Sequence, residues 1–297
     1  HLGSVAESGG AVVGFCAQAI AHRACRARRN VHLDSWGTVW TMPNSVESRG
    51  HRISYRTDGE LDAAPLVLLA GFSRRAGDWW DRGYVTELRD AYRVIAIDRL
   101  GHGDSDKPHD DAEYLEHLIV SDIVAVLDAE HVDRAAIWGF SMGARNAASV
   151  AVMEPTRVAA LICGGGAPTM SVDGRRERVM AWADLIRTDE GMRRWLESIG
   201  SSSGMIEDSL AQNDSAALAA TVAGTADWTP DADDIDAPSL WYMGSDDDGG
   251  FSARELEIAT RLGVETHSIP DADHVASFQR AAEVLSFVRP FLDQHRP

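Results

Sequence analysis

The chain has 297 residues, of which 44% are hydrophobic and 25% are charged. This composition is typical of a globular protein with one large domain, and it excludes a disordered or fibrous chain. The 28 lysines and arginines against 46 aspartates and glutamates give a net charge of -18, which disfavours contact with nucleic acid and with anionic membrane surfaces. We therefore expect no nucleic acid and no membrane among its partners.

The three cysteines are too few for a disulfide framework, and their odd number leaves at least one thiol unpaired. An apolar stretch over residues 11–21 is too short to span a bilayer, and arginines follow it instead of preceding it, unlike a secretory signal. We therefore expect a cytoplasmic protein. Residues 1–41 lack sustained periodicity, and we interpret them as an extension that is either not native or disordered, with Met42 as a candidate native start.

After Met42, apolar runs alternate with helical patterns, which indicates a mostly parallel sheet covered by helices on both faces. The predicted core strands are Pro65–Ala70, Arg93–Ile97, Ala135–Trp138, Val158–Cys163 and Leu240–Met243, with a last strand over Val264–Ile269. Such continuous apolar runs are typical of strands buried on both faces. Helices are predicted over Ser121–Glu130 and Met142–Glu154, on either side of the third of these strands.

The alternation fails over residues 167–237, where no strand-like run occurs. We interpret this segment as a helical cap inserted into a core formed by residues 42–166 and 238–297. The apolar residues predicted for its underside are Trp182, Leu185, Met192, Trp195, Leu196 and Met205. Three glycines at 164–166 lack the Lys and Ser/Thr of a phosphate-binding loop, so we interpret them as a turn into the cap.

The segment Gly139-Phe140-Ser141-Met142-Gly143 follows a predicted buried strand and begins a predicted helix. That context is typical of a nucleophile elbow, in which glycines allow a serine to lie on a sharp turn between strand and helix. The turn would direct the Ser141 hydroxyl into a cleft. It would also place the Met142 N–H at the helix N-terminus, where it can stabilise an oxyanion.

A serine hydroxyl is a weak nucleophile at neutral pH, so it needs a histidine base and a carboxylate that orients the base. His274 follows the last predicted strand, and the consecutive Asp246, Asp247 and Asp248 follow the strand before it. His102 also follows a core strand and is the main alternative base. No grouping of Cys, His and Asp has the spacing of a zinc site, so we expect no metal.

Three further motifs extend this pattern, namely LLAGF at 68–72, DRLGHGDS at 98–105 and DIVAVLD at 122–128. Together with the Ser141 motif, they resemble the α/β-hydrolase superfamily, in its small esterase, lactonase and cofactor-free perhydrolase branch. The resemblance covers about residues 42–297. It implies a doubly wound, mostly parallel α/β sheet with a small helical cap after the sixth strand, and no cofactor.

The resemblance also implies roles for particular residues. In relatives the acid lies three residues after the glycine that ends its strand, which here indicates Asp247. The residue after Gly71, which is Phe72, supplies the second oxyanion N–H beside Met142. Ala70 stands where many relatives have His, but the donor at this loop is a backbone N–H. His102 belongs to a turn that shapes the cleft without acting as the base.

The implied activity is hydrolysis of carboxylic esters of small or medium acyl groups through Ser141, His274, Asp247 and an acyl-enzyme. Alternatives are a lactonase of the enol-lactone or acyl-lactone type, a cofactor-free perhydrolase, a carbon–carbon bond hydrolase, an acyltransferase, and a ligand receptor that uses the same pocket. Relatives that open epoxides or displace halide have an aspartate where this chain has Ser141, so these activities are disfavoured. The expected partner is a small-molecule ester or lactone.

Overall fold

The computed structural model describes residues 31–33, 39–41, 43–168 and 175–297. Strands β1 (Val31–Leu33) and β2 (Val39–Thr41) pair antiparallel with each other and belong to a separate unit from Pro43–Pro297. The rest of the predicted N-terminal extension lies outside the described residues, as does Met42, and its interpretation stays a prediction.

Eight strands form the main sheet in the order β10-β9-β8-β7-β5-β6-β4-β3. They are β3 (Asn44–Ser48), β4 (His51–Asp58), β5 (Ala64–Leu69), β6 (Tyr92–Ile97), β7 (Ala135–Phe140), β8 (Val158–Gly164), β9 (Ser239–Gly244) and β10 (Glu265–Ile269). Strand β4 pairs antiparallel with β3 and β6, and the other pairs are parallel. The predicted mostly parallel sheet is therefore confirmed, and each predicted run is a strand.

Strand β5 shows why the core strands have continuous apolar runs. Val67 and Leu69 belong to the apolar cluster on one face of the sheet, while Leu66 and Leu68 belong to the cluster on the other. All four side chains are fully buried. Because successive side chains point to opposite faces of a strand, a sheet covered on both faces needs an apolar residue at every position.

The helices of the core cover both faces of the sheet. They are α1 (Asp78–Asp81), α2 (Tyr84–Leu88), α3 (Glu116–Ala129), α4 (Met142–Met153), α9 (Ala253–Leu262), α10 (His274–Gln279) and α11 (Ala281–Gln294). Helices α5 (Arg175–Ile186), α6 (Asp189–Ser198), α7 (Ser203–Gln212) and α8 (Ser215–Gly224) follow β8, the sixth strand of the main sheet. None of the helices that the structure describes is long and apolar enough to cross a membrane.

Helices α5 to α8 have an apolar cluster of their own, against which Phe72 and Met142 of the core also pack. Met192 and Leu196 are buried in it, as predicted. The prediction for Leu185 is wrong, because its side chain is 44% exposed. The buried positions of α5 include Ala183 and Ile186, which are three residues apart and share a helix face that position 185 does not share.

Helix α4 approaches strand β5 closely, and glycine makes this approach possible. A Cβ atom on Gly143, in the first turn of α4, would lie 2.2 Å from the carbonyl oxygen of Leu69 and 2.5 Å from that of Ala70. These are backbone atoms that cannot rotate away. The helix that follows Ser141 therefore lies directly against the end of β5 only while position 143 has no side chain.

We predict that Gly143→Ala lowers the free energy of unfolding by about 1–3 kcal/mol or more, because the added methyl group overpacks the contact between helix and strand. Gly204→Ala is the matched control, since its Cβ would meet no atom within 4 Å and it lies in helix α7. There the same substitution should raise the free energy of unfolding by up to about 1 kcal/mol. Urea denaturation measures both, and equal effects at the two positions would contradict the argument.

Candidate active site

Ser141 lies at the turn between β7 and α4, with φ 55° and ψ -120°. A non-glycine residue at such dihedrals is strained and persists only where its surroundings enforce the turn. Its N–H donates to the carbonyl of Gly164 at 2.7 Å. A Cβ on Gly139 would lie 2.1 Å from the carbonyl oxygen of Gly143, so a side chain there would block the turn. The predicted elbow is therefore present.

His274 is the first residue of α10 and follows the last strand of the sheet. Its Nε2 lies 2.9 Å from Ser141 Oγ, and its Nδ1 lies 2.7 Å from Asp247 Oδ2. A carboxylate only accepts hydrogen bonds, so Nδ1 carries a proton and donates a hydrogen bond to Asp247. In the neutral ring, Nε2 is then left as the acceptor that faces the serine hydroxyl.

Of the three consecutive aspartates after β9, the structure brings Asp247 to the imidazole. The Asp247 side chain is only 11% exposed. Asp246 is exposed, and its Oδ1 accepts a hydrogen bond from Ser245 Oγ at 3.0 Å. No hydrogen bond joins Asp248 to His274 in the described part of the chain, although Asp248 lines the adjacent cavity. The chain Asp247-His274-Ser141 is the predicted set of three residues.

Two other histidines lie elsewhere. His102 is buried, and its Nδ1 lies 3.3 Å from the carbonyl oxygen of Leu100. Burial, helped by the charge of Arg99, lowers the pKa of His102 well below its usual value, so the ring stays neutral. His267 stacks on Phe287, with ring centroids 4.1 Å apart. Neither histidine takes the place of His274 beside Ser141.

The two predicted oxyanion donors, Phe72 and Met142, both line the cavity that contains Ser141 and His274. Met142 is the first residue of α4, and N–H groups in the first turn of a helix have no partner within it. The loop that carries Phe72 passes close to Ser141, because a Cβ on Gly71 would lie 3.4 Å from Ser141 Cβ.

The cavity beside Ser141 has a volume of about 710 Å³. Helices α5 and α8 contribute the apolar side chains of Val179, Trp182 and Val222 to its wall. Trp182 packs on the Phe72 ring at a centroid distance of 4.8 Å and on Trp195 at 5.3 Å. The segment between β8 and β9 thus supplies a hydrophobic wall above the serine, as expected of a site for an apolar ligand.

Sequence reasoning did not anticipate every part of this wall. It considered only the backbone N–H of Phe72, whereas the Phe72 ring connects the core to the inserted helices. Val179 and Val222 were also missed, because the mixed pattern of residues 167–237 did not define which helix faces point to the core. Within the described ranges, no group of three or more His, Cys, Asp or Glu residues is arranged to hold a metal ion.

Comparison with known proteins extends these observations. A family model described as "Alpha/beta hydrolase family" matches residues 66–287. The chain belongs to the α/β-hydrolase family. It is 24% identical to 3-oxoadipate enol-lactonase 2 of Acinetobacter baylyi over 83% of this chain and 97% of the lactonase. It is 36% identical to the non-heme chloroperoxidase of Streptomyces lividans, but over only 46% of each chain.

Among solved structures, a thermophilic esterase from Thermogutta terrifontis superposes on this α/β hydrolase with a TM-score of 0.71. The match covers 86% of this chain and 100% of the esterase at 19% identity, so it shows a shared fold. Two curated relatives, from Bacillus subtilis and Streptomyces lividans, are 34% and 36% identical to this chain, which is more than the lactonase. The chain spans about half the length of each of them.

We predict that a fluorophosphonate labels Ser141 and that Asp247→Asn slows labelling by about 10³ to 10⁴-fold, because the amide favours the wrong tautomer of His274. Intact-protein mass spectrometry over time gives the rate. Asp246→Asn is the matched control and should label at the wild-type rate. The assignment of the acid would be wrong if Asp246→Asn were the slow variant.

Proposed function

We propose that this α/β hydrolase cleaves carboxylic esters of small or medium acyl groups, with Ser141, His274 and Asp247 as its catalytic residues. The observation that supports the proposal most directly is the hydrogen-bonded chain from Asp247 through His274 to Ser141, at 2.7 and 2.9 Å, beside a cavity with one apolar wall. An ordinary surface serine has neither a base nor a cavity.

In the proposed reaction, His274 accepts the Ser141 proton while the serine oxygen attacks the ester carbonyl. The N–H groups of Met142 and Phe72 donate hydrogen bonds to the oxyanion that develops. His274 then protonates the leaving alcohol, which gives an acyl-enzyme. A water molecule that His274 deprotonates attacks this intermediate, and the acid leaves as Ser141 regains its proton.

The size of the acyl group follows from the cavity. A volume of about 710 Å³ lies in the middle of the usual range for small-molecule sites, about 300–1,000 Å³. The wall formed by Val179, Trp182 and Val222 offers apolar surface for an alkyl or aromatic acyl chain.

The cytoplasmic location inferred from the cysteine content stays a prediction.

Lactone hydrolysis is the second candidate, because one relative that matches most of this chain and nearly all of its own length is named an enol-lactonase. A lactone is a cyclic ester, so the same attack on its carbonyl opens the ring without releasing an alcohol. Perhydrolysis requires hydrogen peroxide in place of water, and the local match to a chloroperoxidase keeps it as a third outcome.

We predict that the wild type hydrolyses p-nitrophenyl esters, from acetate through decanoate, and that Ser141→Ala reduces kcat/KM by about 10⁴-fold or more. Ser286→Ala, at an exposed serine, is the control and should retain wild-type rates. Enol-lactones and hydrogen peroxide are assayed in parallel. If the wild type turns over none of these substrates, or Ser141→Ala is unchanged, the proposal fails.

We also predict that Trp182→Ala moves the optimum of this series to longer acyl chains, because it removes a large side chain from the cavity wall. Trp80→Ala removes another half-buried tryptophan that does not line this cavity, and it should leave the chain-length optimum where it is. The ratio of kcat/KM for decanoate to that for acetate is the measurement. A ratio that is unchanged in Trp182→Ala would place the acyl chain elsewhere.

A further inference from the structure

Arg99 is a buried arginine in the DRLGHGDS motif, directly after strand β6, and the proposed reaction does not use it. Its residue is 3% exposed. Nη2 donates to the carbonyl oxygen of Ala70 at 2.8 Å and to that of Gly71 at 2.9 Å. Nη1 donates to Oδ1 of Asn146 at 2.6 Å. One guanidinium thus contacts both the loop after β5 and helix α4.

The contact with Gly71 has a specific chemical meaning. The carbonyl of Gly71 and the N–H of Phe72 belong to the same planar peptide group. A hydrogen bond that fixes the carbonyl oxygen therefore also fixes the direction in which the Phe72 N–H points. In addition, a charged donor on the carbonyl polarises the peptide, which strengthens hydrogen bonds from its N–H.

The contact with Asn146 fixes the other half of the proposed oxyanion hole. Asn146 lies in α4, the helix that begins at Met142. Its Nδ2 donates to Glu116 Oε1 at 2.7 Å, and Glu116 also accepts from Arg145 at 3.0 Å. These buried hydrogen bonds hold the Asn146 side chain in place. Arg99 therefore joins the loop of one N–H donor to the helix of the other.

The turn that carries Arg99 is itself rigid. The Asp98 carboxylate accepts hydrogen bonds from the N–H groups of Ala76 at 2.6 Å and Asp104 at 3.1 Å. Ser105 Oγ donates to the Asp98 carbonyl and accepts from the N–H of Ser54 at 2.8 Å. A Cβ on Gly103 would lie 2.2 Å from the Asp98 carboxyl group. These contacts therefore fix the backbone of the motif, and with it the position of Arg99.

The Arg99 charge is not neutralised by direct contact. In the described part of the chain, its hydrogen bonds go to two carbonyls and one amide, and no carboxylate forms an ion pair with it. Burial lowers the pKa of Arg99 to about 10, so the guanidinium stays charged at neutral pH. The nearby charges of Glu116 and Asp98 favour the charged form, but no direct ion pair offsets its burial, which argues that the charge has a use beyond packing.

We propose that Arg99 is a positioning residue that aligns the Phe72 and Met142 N–H groups on the oxyanion through the Gly71 carbonyl and Asn146. The inference rests on the proposed function, because it concerns the same acyl-transfer reaction. The effect belongs to the transition state, since the ester carbonyl carries little charge before attack. Arg99 should therefore influence kcat more than KM.

The test compares wild type with Arg99→Lys and Arg99→Met on the best p-nitrophenyl ester. We expect Arg99→Met to lower kcat by about 10² to 10³-fold with KM changed by less than about 3-fold, as for loss of an oxyanion donor. Arg99→Lys keeps the charge but not the forked geometry, so it should recover part of the rate. Titration with a fluorophosphonate to completion counts the folded sites.

An alkylboronic acid gives a second readout, since its tetrahedral adduct with Ser141 mimics the transition state. Its inhibition constant should rise in proportion to the loss of kcat/KM.

Arg93→Lys is the matched control. Arg93 lies in strand β6, six residues before Arg99, which corresponds to about 20 Å along an extended chain. Its side chain is 11% exposed, and its guanidinium contacts the Glu130 carbonyl and carboxylate. This variant should keep kcat per titrated site.

If Arg99→Met does not fold, Asn146→Ala decides. It removes the hydrogen bond from Arg99 to α4, together with the one from Asn146 to Glu116, but leaves the Arg99 contacts with Ala70 and Gly71 in place, and it should still lower kcat per site. Full kcat and unchanged boronate affinity in folded Arg99→Met overturn the inference and leave the proposed function intact. The same result for Asn146→Ala, when Arg99→Met is unfolded, also overturns it. If the wild type itself shows no esterase or lactonase turnover, the proposed function is wrong, and this inference is wrong with it.

Discussion

The strained turn at Ser141 is the constraint on which the rest of the site depends. Its backbone has a positive φ, which a serine rarely adopts unless its surroundings enforce it. Close packing on both sides of the turn enforces it, because Gly139 lies against Gly143 and Gly143 lies against the end of β5. The free energy for this strain comes from the buried parallel strands around it. The sheet is therefore both the core of the fold and the support of the Ser141 turn.

The order of strands explains how distant residues meet. The segments that carry Phe72, Ser141, Asp247 and His274 follow β5, β7, β9 and β10, and all four strands are parallel within the sheet. Residues that follow parallel strands lie at the same edge, where ligand sites of α/β sheets are usually found. This is why apolar periodicity and loop position predicted that Ser141 and His274 lie at one edge of the sheet, whereas the choice of Asp247 and Phe72 came from the family resemblance.

What the sequence left open had physical causes. Consecutive Asp246, Asp247 and Asp248 have the same chemistry, and only the path of the loop decides which carboxylate reaches His274. The edge strand β3 and its neighbour β4 have no continuous apolar run, so their pattern was not distinctive. In the inserted helices, Leu185 was assigned to the wrong face because tertiary packing, and not hydrophobicity alone, sets helix rotation. The role of Arg99 depends on contacts between distant segments, which spacing cannot show.

Phe72 contributes both to the wall of the cavity and to the proposed oxyanion hole. Its ring packs on Trp182 and Trp195 of the inserted helices, while its backbone N–H belongs to the peptide that Arg99 holds. A substitution in the cavity wall therefore also affects the position of the Phe72 N–H, the group proposed to stabilise the oxyanion. For directed evolution, this means that substrate range and turnover are coupled at this position. Variants that broaden the cavity would need compensating changes near Phe72 to keep their speed.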